Sequence, residues 1–544
     1  MSAGTPARPE AFHLTCELAG AVTPESFRAA FPERGASTFV LDGGGAAASP
    51  RLDRAAYLGA APSATFRARR VAERDERGRR LASVVVEHAD GRRETSAASD
   101  PFSALADFLS ANALPETTFD ARFPFPFRGG LVGYVGYECG QTLERLPCPA
   151  RPSTRMPDMA FALHRWIVAT SRDTGVSWLS VIGLGATRDS ARADAEAIRD
   201  HVTSLLAPAR GSRVERPPTA ERPRRDAVPR VDAELSAAEY MARVTRAKDH
   251  IAAGDAFEIC LTNALRAPLG GEHAWPLFDE LRRSNPAPFA ALLDLPEGAI
   301  VSSSPERFLS LDARGIAESR PIKGTRPRGA SADDDARLAR ELATSEKDRA
   351  ENAMIVDLVR NDLGRVCRFG SVEAPELFAV EPYATVHQLV STVRGELDAG
   401  RSAVDLLRAC FPPGSMTGAP KIEAMRILEH LEPVERGVYS GALGWLDLGG
   451  AMDLSVVIRT VVLEDDVATF SVGGAIVTDS DPRDEHDETE HKARALVRAI
   501  ETVSRDSGPA REAPAREGPA REGPAREALS SASASPPRPA EELA

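Results

Sequence analysis

The sequence predicts a mixed α and β protein. Short stretches in which apolar and polar side chains alternate indicate strands with one buried face. Residues 38–41, 81–87 and 166–169 have this strand pattern, whereas residues 190–205 have the period of an amphipathic helix. The alternation is compatible with antiparallel sheets, but it does not define how such sheets are arranged.

The composition narrows the class of protein. The chain has 544 residues, of which 42% are hydrophobic, so it can bury a large core in two or three domains. Its net charge of −13 argues against nucleic acid or an anionic membrane as a general partner. The N-terminus lacks a basic start with an apolar segment, and no run approaches about 18 apolar residues, so we expect a soluble protein.

Cysteine usage indicates the compartment. The six cysteines are scattered and have no CxxC spacing of the kind that binds metals. This suits reduced thiols, and we expect a cytoplasmic location. They are Cys16, Cys139, Cys148, Cys260, Cys367 and Cys410.

The composition also divides the chain into four segments. Residues 1–205 mix strand and helix patterns, and residues 206–235 are dominated by Pro and Arg, which predicts a linker. Residues 236–503 carry the motifs described below. Residues 504–544 repeat Pro-Ala-Arg-Glu and contain few large apolar side chains, which predicts a disordered tail. We favour an inert tail over one that binds a partner.

The third segment opens with clear local signals. Ser236 and Glu239 have the spacing of a capping box, and Gly254 is placed to end the helix that they begin. The following residues, 257–265, alternate as a strand, with Glu258 on the same face as Cys260. Glu258 therefore faces either a cavity or solvent at a sheet edge, and the second alternative is favoured.

One lysine stands out as a candidate nucleophile. Lys323 lies between Pro321, which restricts the backbone, and Gly324, which relaxes it. A lysine that is partly desolvated at a rigid strand end loses some of its preference for the ammonium form, and the free amine is a good nucleophile. The alternative is a surface lysine in a turn.

Two predicted helices carry acids on otherwise apolar stripes. Carboxylates on such stripes are costly unless cations or hydrogen bonds compensate them. Oxygen ligands from two helices suit Mg²⁺, which keeps several waters and often bridges to an anionic substrate. The alternative for each helix alone is a solvated, charged end. The charged members of the stripes are Asp348, Glu351 and Asp362 in residues 347–364, and Glu485, Glu488 and Lys492 in residues 485–500.

Two further segments offer backbone N–H groups to an anion. A turn-rich stretch precedes a predicted helix over 422–431, and Ser415 or Thr417 is placed to be its N-cap. Gly473 and Gly474 follow a predicted strand over 468–472, where they let a ligand approach the backbone. A Gly pair after a strand is weak evidence and is no dinucleotide fingerprint.

These motifs together resemble those of the chorismate-utilising enzymes. The resemblance covers residues 236–500, and a weaker one through residues 127–137 covers the N-terminal segment. Within the family, lysine in the PIKGT motif is typical of the enzymes that aminate chorismate at C4, whereas anthranilate-forming enzymes have alanine. The motifs are PIKGTRPRG, DRAENAMIVDLVRNDLGRV, FAVEPYATVHQLVSTVRGEL, FPPGSMTGAPKIEAMRILEHLEP, YSGALGWLDLGGAMDLSVVIRT and GGAIVTDSDPRDEHDETEHKA.

The resemblance implies a fold and a reaction. The family fold is α+β, with two large antiparallel sheets packed as a sandwich, flanking helices, and the active site between the sheets. Lys323 is expected to attack C2 of chorismate while the C4 hydroxyl leaves, and Glu306 to protonate that hydroxyl. Ammonia then enters at C4 and expels the lysine. The product is 4-amino-4-deoxychorismate, on the route to p-aminobenzoate for folate or a specialised metabolite.

The resemblance also implies the remaining roles. Glu351 and Glu488 match the Mg²⁺ ligands, with Glu485 and Asp348 in support, and the metal is expected to bind the ring carboxylate. Tyr439 and Arg459 match residues that hold the enolpyruvyl carboxylate. Both Tyr439 and His387 have the alternative of being ordinary core residues. The expected substrate-binding set is Thr417, Tyr439, Arg459, Gly473, Gly474, Ala475, His387 and Lys492.

The chain departs from its relatives in two places. Relatives that bind tryptophan have a Ser-containing motif after the first strand, but residues 41–45 read Leu-Asp-Gly-Gly-Gly, so we do not expect a tryptophan site. No cysteine has the Gly-x-Cys-x-Gly context of a glutaminase, so ammonia is expected from a separate glutamine amidotransferase subunit or from solution.

Three alternatives stay open. An anthranilate synthase component I would share the pocket, but Lys323 argues against it. The salicylate- and isochorismate-forming relatives use a lysine near the position of Glu258. A non-catalytic, chorismate-binding paralogue is the third alternative, although paralogues that lose activity usually lose buried charges such as Glu306 and Glu351 first.

Overall fold

The computed structural model describes residues 9–43, 52, 55–147, 151–211, 229–270 and 273–506. Most of the predicted linker and nearly all of the predicted tail lie outside these residues, as do Cys148 and the last two glycines of residues 41–45. The helix that precedes the linker continues to Gly211, six residues beyond its predicted end at 205.

Two antiparallel sheets of twelve strands each form the centre of the described part of the chain. The first sheet is built from the N-terminal segment at one side and from the C-terminal half at the other. Its strands in spatial order are β1 (Glu10–Leu18), β10 (Ser177–Gly185), β9 (Trp166–Ser171), β3 (Ala55–Gly59), β2 (Thr38–Asp42), β13 (Phe289–Leu295), β14 (Gly298–Ser304), β23 (Thr460–Glu464), β24 (Val467–Ile476), β12 (Glu258–Pro268) and β11 (Asp232–Ala233), with β20 (Gly418–Ala419) also paired to β12.

The second sheet draws on the same two parts of the sequence. Its strands in spatial order are β17 (Ile322–Pro327), β19 (Val386–Glu396), β16 (Ile316–Ser319), β15 (Arg307–Leu311), β22 (Met452–Val456), β21 (Ala442–Asp447), β7 (Gly130–Val135), β8 (Met159–His164), β4 (Ala64–Arg74), β5 (Arg80–His88) and β6 (Arg93–Ala98), with β18 (Glu373–Pro382) paired to β19. Residues 1–205 and 236–503 therefore share both sheets.

The two sheets pack face to face through an apolar core. Tyr57 and Phe39 of the first sheet belong to one buried cluster with Tyr134 and Trp445 of the second. Phe127, just before β7, stacks on Trp445 with ring centroids 5.0 Å apart. Large aromatic side chains contribute much of the stabilisation in such a core. The sandwich confirms the predicted fold class.

Helices cover the outer faces of the sandwich. The described helices are α1 (Pro24–Ala30), α2 (Pro101–Asn112), α3 (Gly140–Leu143), α4 (Arg188–Gly211), α5 (Ala237–Ala253), α6 (Ala274–Ser284), α7 (Ala332–Thr344), α8 (Glu346–Gly364), α9 (Ala403–Cys410), α10 (Lys421–Leu431) and α11 (Pro482–Asp506). Helices α4, α6 and α11 pack on the first sheet, and α2, α8 and α9 pack on the second. In the described ranges, no helix is long and apolar enough to cross a membrane.

The local signals were right at one helix and wrong at another. Ser236 and Glu239 form the predicted capping box of α5, and Gly254 ends the helix with a φ of +87°. Helix α10 begins at Lys421, directly after Pro420, so neither Ser415 nor Thr417 is its N-cap. Those two residues lie in a separate turn, which includes the 3₁₀ helix Gly414–Met416.

Candidate active site

The two sheets meet at a buried ion pair. Glu258 begins β12 of the first sheet, and Lys323 lies on β17 of the second sheet. The Lys323 Nζ atom is 2.8 Å from Oε1 of Glu258, and the Glu258 side chain is fully buried. Its other oxygen, Oε2, is buried without a hydrogen-bond partner among the described residues. The favoured prediction of a solvated edge acid at Glu258 is therefore wrong, and its alternative holds.

The burial of Glu258 follows from its strand position. The short strand β20 pairs with the start of β12, where Ala419 lies opposite Glu258 and receives the N–H of Phe257 at 2.7 Å. The alternation of β12 then turns the Phe257 side chain outward, where it is 70% exposed, and Glu258 inward. The alternation pattern does not reveal that β20 covers β12 at Glu258.

The charge state of Lys323 differs from the expected one. Burial lowers the pKa of Lys323, but the charges of Glu258 and Glu351 outweigh it, so the pKa lies above the usual value. The prediction that desolvation favours the free amine is thus wrong, because two carboxylates compensate the ammonium. The amine becomes a nucleophile only when a neighbouring group takes its proton, and Glu258 is in contact to do so.

The strand that carries Lys323 lies very close to α8. Gly324 has a φ of +85°, and a Cβ atom there would lie 2.8 Å from the Cβ atom of Asp348. Arg326 donates to Asp348 at 3.0 Å from the same strand. A residue with a side chain would not fit at Gly324, so the glycine fixes the distance between Lys323 and the acidic helix.

Glu306 lies in a different environment from Glu258. It follows β14 and is buried. Burial raises its pKa to about 7. Hydrogen bonds from Ser415 and the Ile322 N–H and the positive charges of Lys323 and Arg459 lower the pKa, but burial outweighs them. A carboxyl group that is half protonated near neutral pH suits a general acid. This is the role that the resemblance implies for Glu306.

Arg459 is a cation held close to Glu306. Its φ is +50°, a left-handed conformation that is uncommon for a residue with a side chain and that recurs at functional sites. Burial lowers the pKa of Arg459, and Glu306 opposes that shift. Among the described residues no ion pair is formed by its guanidinium. A planar guanidinium in this state fits a substrate carboxylate.

The predicted metal ligands form an acidic cluster on two helices. Burial raises the pKa of Glu351 on α8 and of Glu485 on α11, and a neighbouring acid adds to each shift. At Glu488 the opposite holds, because Lys492 and Lys347 outweigh burial and hold its pKa below the usual value. A divalent cation would relieve the excess of negative charge, so the donor set fits Mg²⁺. No three described carboxylate, imidazole or thiol groups are close enough together to hold a metal ion.

The glycines of β24 adjoin this cluster. The strand extends through Ile476, so the prediction that Gly473 and Gly474 follow the strand is wrong. A Cβ atom at Gly474 would lie 2.6 Å from Oε2 of Glu485, so a larger residue there would displace that carboxylate. Lys492 donates to the Gly473 carbonyl at 2.7 Å and pairs with Glu488 at 2.7 Å. Ala475 lies opposite Cys260 on β12.

The other predicted substrate contacts divide into two groups. Thr417 and Tyr439 are buried beside Cys260 of β12. The Thr417 carbonyl accepts a hydrogen bond from the N–H of Cys260 at 3.0 Å. The pKa of Tyr439 is raised, chiefly by burial and to a smaller extent by Cys260. His387 contacts α7 instead, with Nε2 2.9 Å from Asp335. The structure thus gathers the first group around β12 and gives His387 a different partner.

Neither Arg436, which lies beside β12, nor Asp42 of β2 was singled out from the sequence. Arg436 is fully enclosed. It pairs with Glu432 at 2.7 Å and donates to the carbonyls of Cys260 at 2.7 Å and Met416 at 2.5 Å. The only sequence signal was the spacing of Glu432 and Arg436 by four residues, which is common on surfaces. Asp42, in the segment that lacks the tryptophan motif, pairs with Arg282 at 2.8 Å.

Comparison with known proteins agrees with this geometry. A sequence profile described as chorismate binding enzyme matches residues 64–498. An aminodeoxychorismate synthase of Streptomyces pristinaespiralis is 45% identical over 430 residues, which make up 77% of this chain and 57% of that protein. An anthranilate synthase component 1 of Streptomyces coelicolor is 40% identical over 402 residues, 74% of this chain and 77% of that one. The chain spans just over half the length of the first of these relatives.

A solved structure is similar over most of the described fold. The crystal structure of anthranilate synthase component I from Streptococcus pneumoniae superposes with a TM-score of 0.65 at 28% identity. The superposition covers 83% of this chain and 93% of that chain.

The raised pKa of Glu306 predicts a pH-dependent stability change. The folded state holds the proton of Glu306 up to about pH 7, whereas the unfolded chain releases it near 4.5. Stability therefore falls as the pH rises from 4.5 to 7, and the loss is complete above 7. Glu306→Gln removes this loss, so the variant should gain about 1–3 kcal/mol at pH 8, at about 1.4 kcal/mol per pKa unit, and little at pH 5. Urea unfolding at both values measures it, and equal effects at pH 5 and 8 would contradict the shift.

Proposed function

Because the chain belongs to the family of chorismate binding enzymes, we propose that it aminates chorismate at C4 to give 4-amino-4-deoxychorismate. The observation that carries the proposal is the buried contact of Lys323 with Glu258, which pairs a candidate nucleophile with a base. The name of the Streptomyces pristinaespiralis relative, aminodeoxychorismate synthase, supports it. The product would serve p-aminobenzoate synthesis, for folate or for a specialised metabolite.

The first step moves two protons that the site already holds. Glu258 takes a proton from Lys323, and the free amine bonds to C2 of the ring. The two ring double bonds each shift by one position, and the C4–O bond breaks. Glu306, protonated near neutral pH, gives its proton to the departing hydroxyl, which leaves as water. The displacement leaves the ring attached to Lys323 through C2.

The second step reverses the first at the same atoms. Ammonia bonds to C4, the double bonds shift back, and the C2–N bond to Lys323 breaks. The Glu306 carboxylate takes the proton that the new C4 ammonium loses, and Glu258 returns its proton to the lysine amine. The enzyme is then in its starting state, and water is the only other product.

The remaining residues bind the two substrate carboxylates. Arg459 and Tyr439, with the backbone at Gly473, Gly474 and Ala475, would hold the enolpyruvyl carboxylate. Mg²⁺ held by Glu351 and Glu488, with Glu485 beside them, would neutralise the charge of the ring carboxylate. Lys492 keeps the acid cluster partly compensated through its contact with Glu488.

The ammonia source is proposed to be a separate subunit. No cysteine of the chain has a glutaminase context, and the Streptomyces coelicolor relative is named component 1, which implies a further component for that protein. We propose a glutamine amidotransferase partner, with free ammonia as a substitute in vitro, and a cytoplasmic location. The purified chain alone should not hydrolyse glutamine.

A second candidate is anthranilate formation, favoured by the 40% identity to the Streptomyces coelicolor protein. The two reactions differ in mass, because anthranilate synthesis also eliminates pyruvate. Mass analysis of the products from chorismate, Mg²⁺ and an ammonium salt decides between them. A product that keeps the enolpyruvyl group supports the proposal, anthranilate with pyruvate supports the second candidate, and unconsumed chorismate indicates a non-catalytic paralogue.

The covalent role of Lys323 predicts a strict requirement for its amine. Lys323→Ala should lower C4 amination strongly, by roughly the 10²–10⁴-fold typical of a lost acid–base or nucleophilic group, while chorismate binding largely survives. Ammonia can then reach C2 directly, so some C2-aminated product is expected. Lys323→Arg keeps the charge but not the nucleophile and should be as inactive. Near wild-type turnover of Lys323→Arg would exclude the covalent step.

The metal role of the two acidic helices predicts altered Mg²⁺ titrations. Glu351→Gln and Glu488→Gln should each require more Mg²⁺ for half-maximal activity. Glu351→Gln should keep or raise thermal stability, because burial disfavours the charge of Glu351, whereas Glu488→Gln should lower it, because Lys492 and Lys347 stabilise the charge of Glu488. Asp487→Asn on the exposed face of α11 is the matched control and should leave the titration unchanged. Wild-type curves in both Gln variants would count against these ligands.

A further inference from the structure

All three hydrogen-bond donors of the Lys421 ammonium group have acceptors within the protein. It donates to Oδ2 of Asp362 at 2.6 Å and to the carbonyls of Cys410 and Pro412 at 2.7 and 2.8 Å. An ammonium has three hydrogens, so all of its donors have acceptors. The Lys421 side chain is 11% exposed and that of Asp362 is 6% exposed. Lys421 is therefore a structural cation and not a substrate contact.

These three acceptors belong to three parts of the chain that border the candidate active site. Asp362 lies on α8, the helix that also carries Glu351. Cys410 ends α9, and Pro412 is the second residue of the segment 411–417, which runs toward β20. Lys421 itself is the first residue of α10. The ammonium thus joins the start of the segment to the acidic helix.

The opposite end of the segment is held by the first sheet. The Cys260 N–H donates to the Thr417 carbonyl at 3.0 Å, and Arg436 donates to the Met416 carbonyl at 2.5 Å. Between the two attachments lies Ser415, which lines one small cavity together with Glu306 and Asp362. The segment therefore encloses Glu306, and only one of its two attachments depends on Lys421.

We propose that Lys421 is a positioning residue for amination, whose ammonium keeps the segment 411–417 closed over Glu306. The role in the reaction rests on the proposed function, whereas the role in closing the segment does not. Loss of the ammonium would free the Cys410 and Pro412 carbonyls, leave Asp362 unpaired, and let water reach Glu306.

The consequence for Glu306 has a definite direction. Two cations face Glu306, namely Lys323 on β17 and Arg459 before β23. Asp362 of α8 lies across the cavity. Arg307, the residue after Glu306, is already paired with Asp453. Burial is the largest cause of the raised pKa of Glu306, and the hydroxyl of Ser415 opposes it. Opening the segment therefore lowers that pKa, whereas removing the Ser415 hydroxyl alone raises it.

The first measurement does not depend on activity. Amide hydrogen exchange over residues 411–417 should accelerate at least tenfold in Lys421→Met. The matched control, Arg426→Met, lies on the exposed side of the same helix, where Arg426 pairs with Glu423, and it should leave the exchange unchanged. If Lys421→Met does not fold, Lys421→Met/Asp362→Leu removes the unpaired acid as well, and the same acceleration is expected. Wild-type exchange in the folded variant would overturn the proposal.

The second measurement follows Glu306 directly. The gain in stability that Glu306→Gln shows at pH 8 over pH 5 should shrink by half or more in the Lys421→Met background. An undiminished gain would overturn the proposal. Both measurements hold even if the wild-type chain does not aminate chorismate, so failure of the proposed function is distinguished from failure of this inference.

The third measurement uses activity. In Lys421→Met, the apparent pKa of the high-pH limb of kcat/KM should fall by about one unit, which is a tenfold loss of kcat/KM above pH 7. In Ser415→Ala, the same apparent pKa should rise. Lys421→Arg, which keeps the positive charge and several donors, should restore most of the profile. A uniform loss of kcat/KM with an unmoved limb in Lys421→Met would mean that the residue does not act through Glu306, and would overturn the positioning role.

Discussion

The site is organised by one interaction, the ion pair of Lys323 and Glu258 between the two sheets. Each charge would be costly to bury alone, and breaking such a pair by removal of one partner typically costs about 3–5 kcal/mol. The pair therefore sets how β12 and β17 can approach each other at one end of the sandwich. The short strand β20 covers Glu258, and the glycine at Gly324 lets α8 come close to Lys323. These constraints keep water from the acid and leave its Oε2 atom free of a described partner. A buried pair of this kind is weak evidence for stability, but its two groups are in contact and suited to proton transfer.

The two candidate carboxylates of the reaction are both buried, but they differ in their contacts. Glu258 contacts the Lys323 ammonium, from which it can take a proton. Among the described residues no ion pair is formed by Glu306, so burial dominates and its pKa rises to about 7. These contacts give Glu306 the role of the acid and Glu258 the role of the base. The assignment follows from the contacts of each side chain and needs no knowledge of the substrate.

Features of the fold and the site that depend on neighbouring residues could be predicted from the sequence, whereas those that depend on residues far apart in the sequence could not. The capping box at Ser236 and the candidate nucleophile Lys323 are local and were recognised from neighbouring residues. The two-sheet sandwich came from a resemblance, because alternation defines faces but not the partners of a strand. The sequence favours an edge acid at Glu258, because its cover, β20, is only two residues long and lies about 160 residues away in the sequence. The charge state of Lys323 was misjudged for the same reason, because its compensating carboxylates are on distant elements.

The enclosure of the site also depends on contacts that no motif describes. Arg436 holds the Thr417 end of segment 411–417 through carbonyl groups, and Lys421 holds the other end in the same way. Backbone carbonyls carry no sequence information, so a residue that binds them looks like any surface cation in the sequence. Such cations are recognisable only when their burial and the number of satisfied donors are known. The fold thus uses two buried cations to shape a segment whose own side chains, Ser415 and Thr417, resemble an ordinary helix cap. The acid at Glu306 owes its raised pKa to this enclosure, which links the packing of distant elements to the proton that the reaction needs.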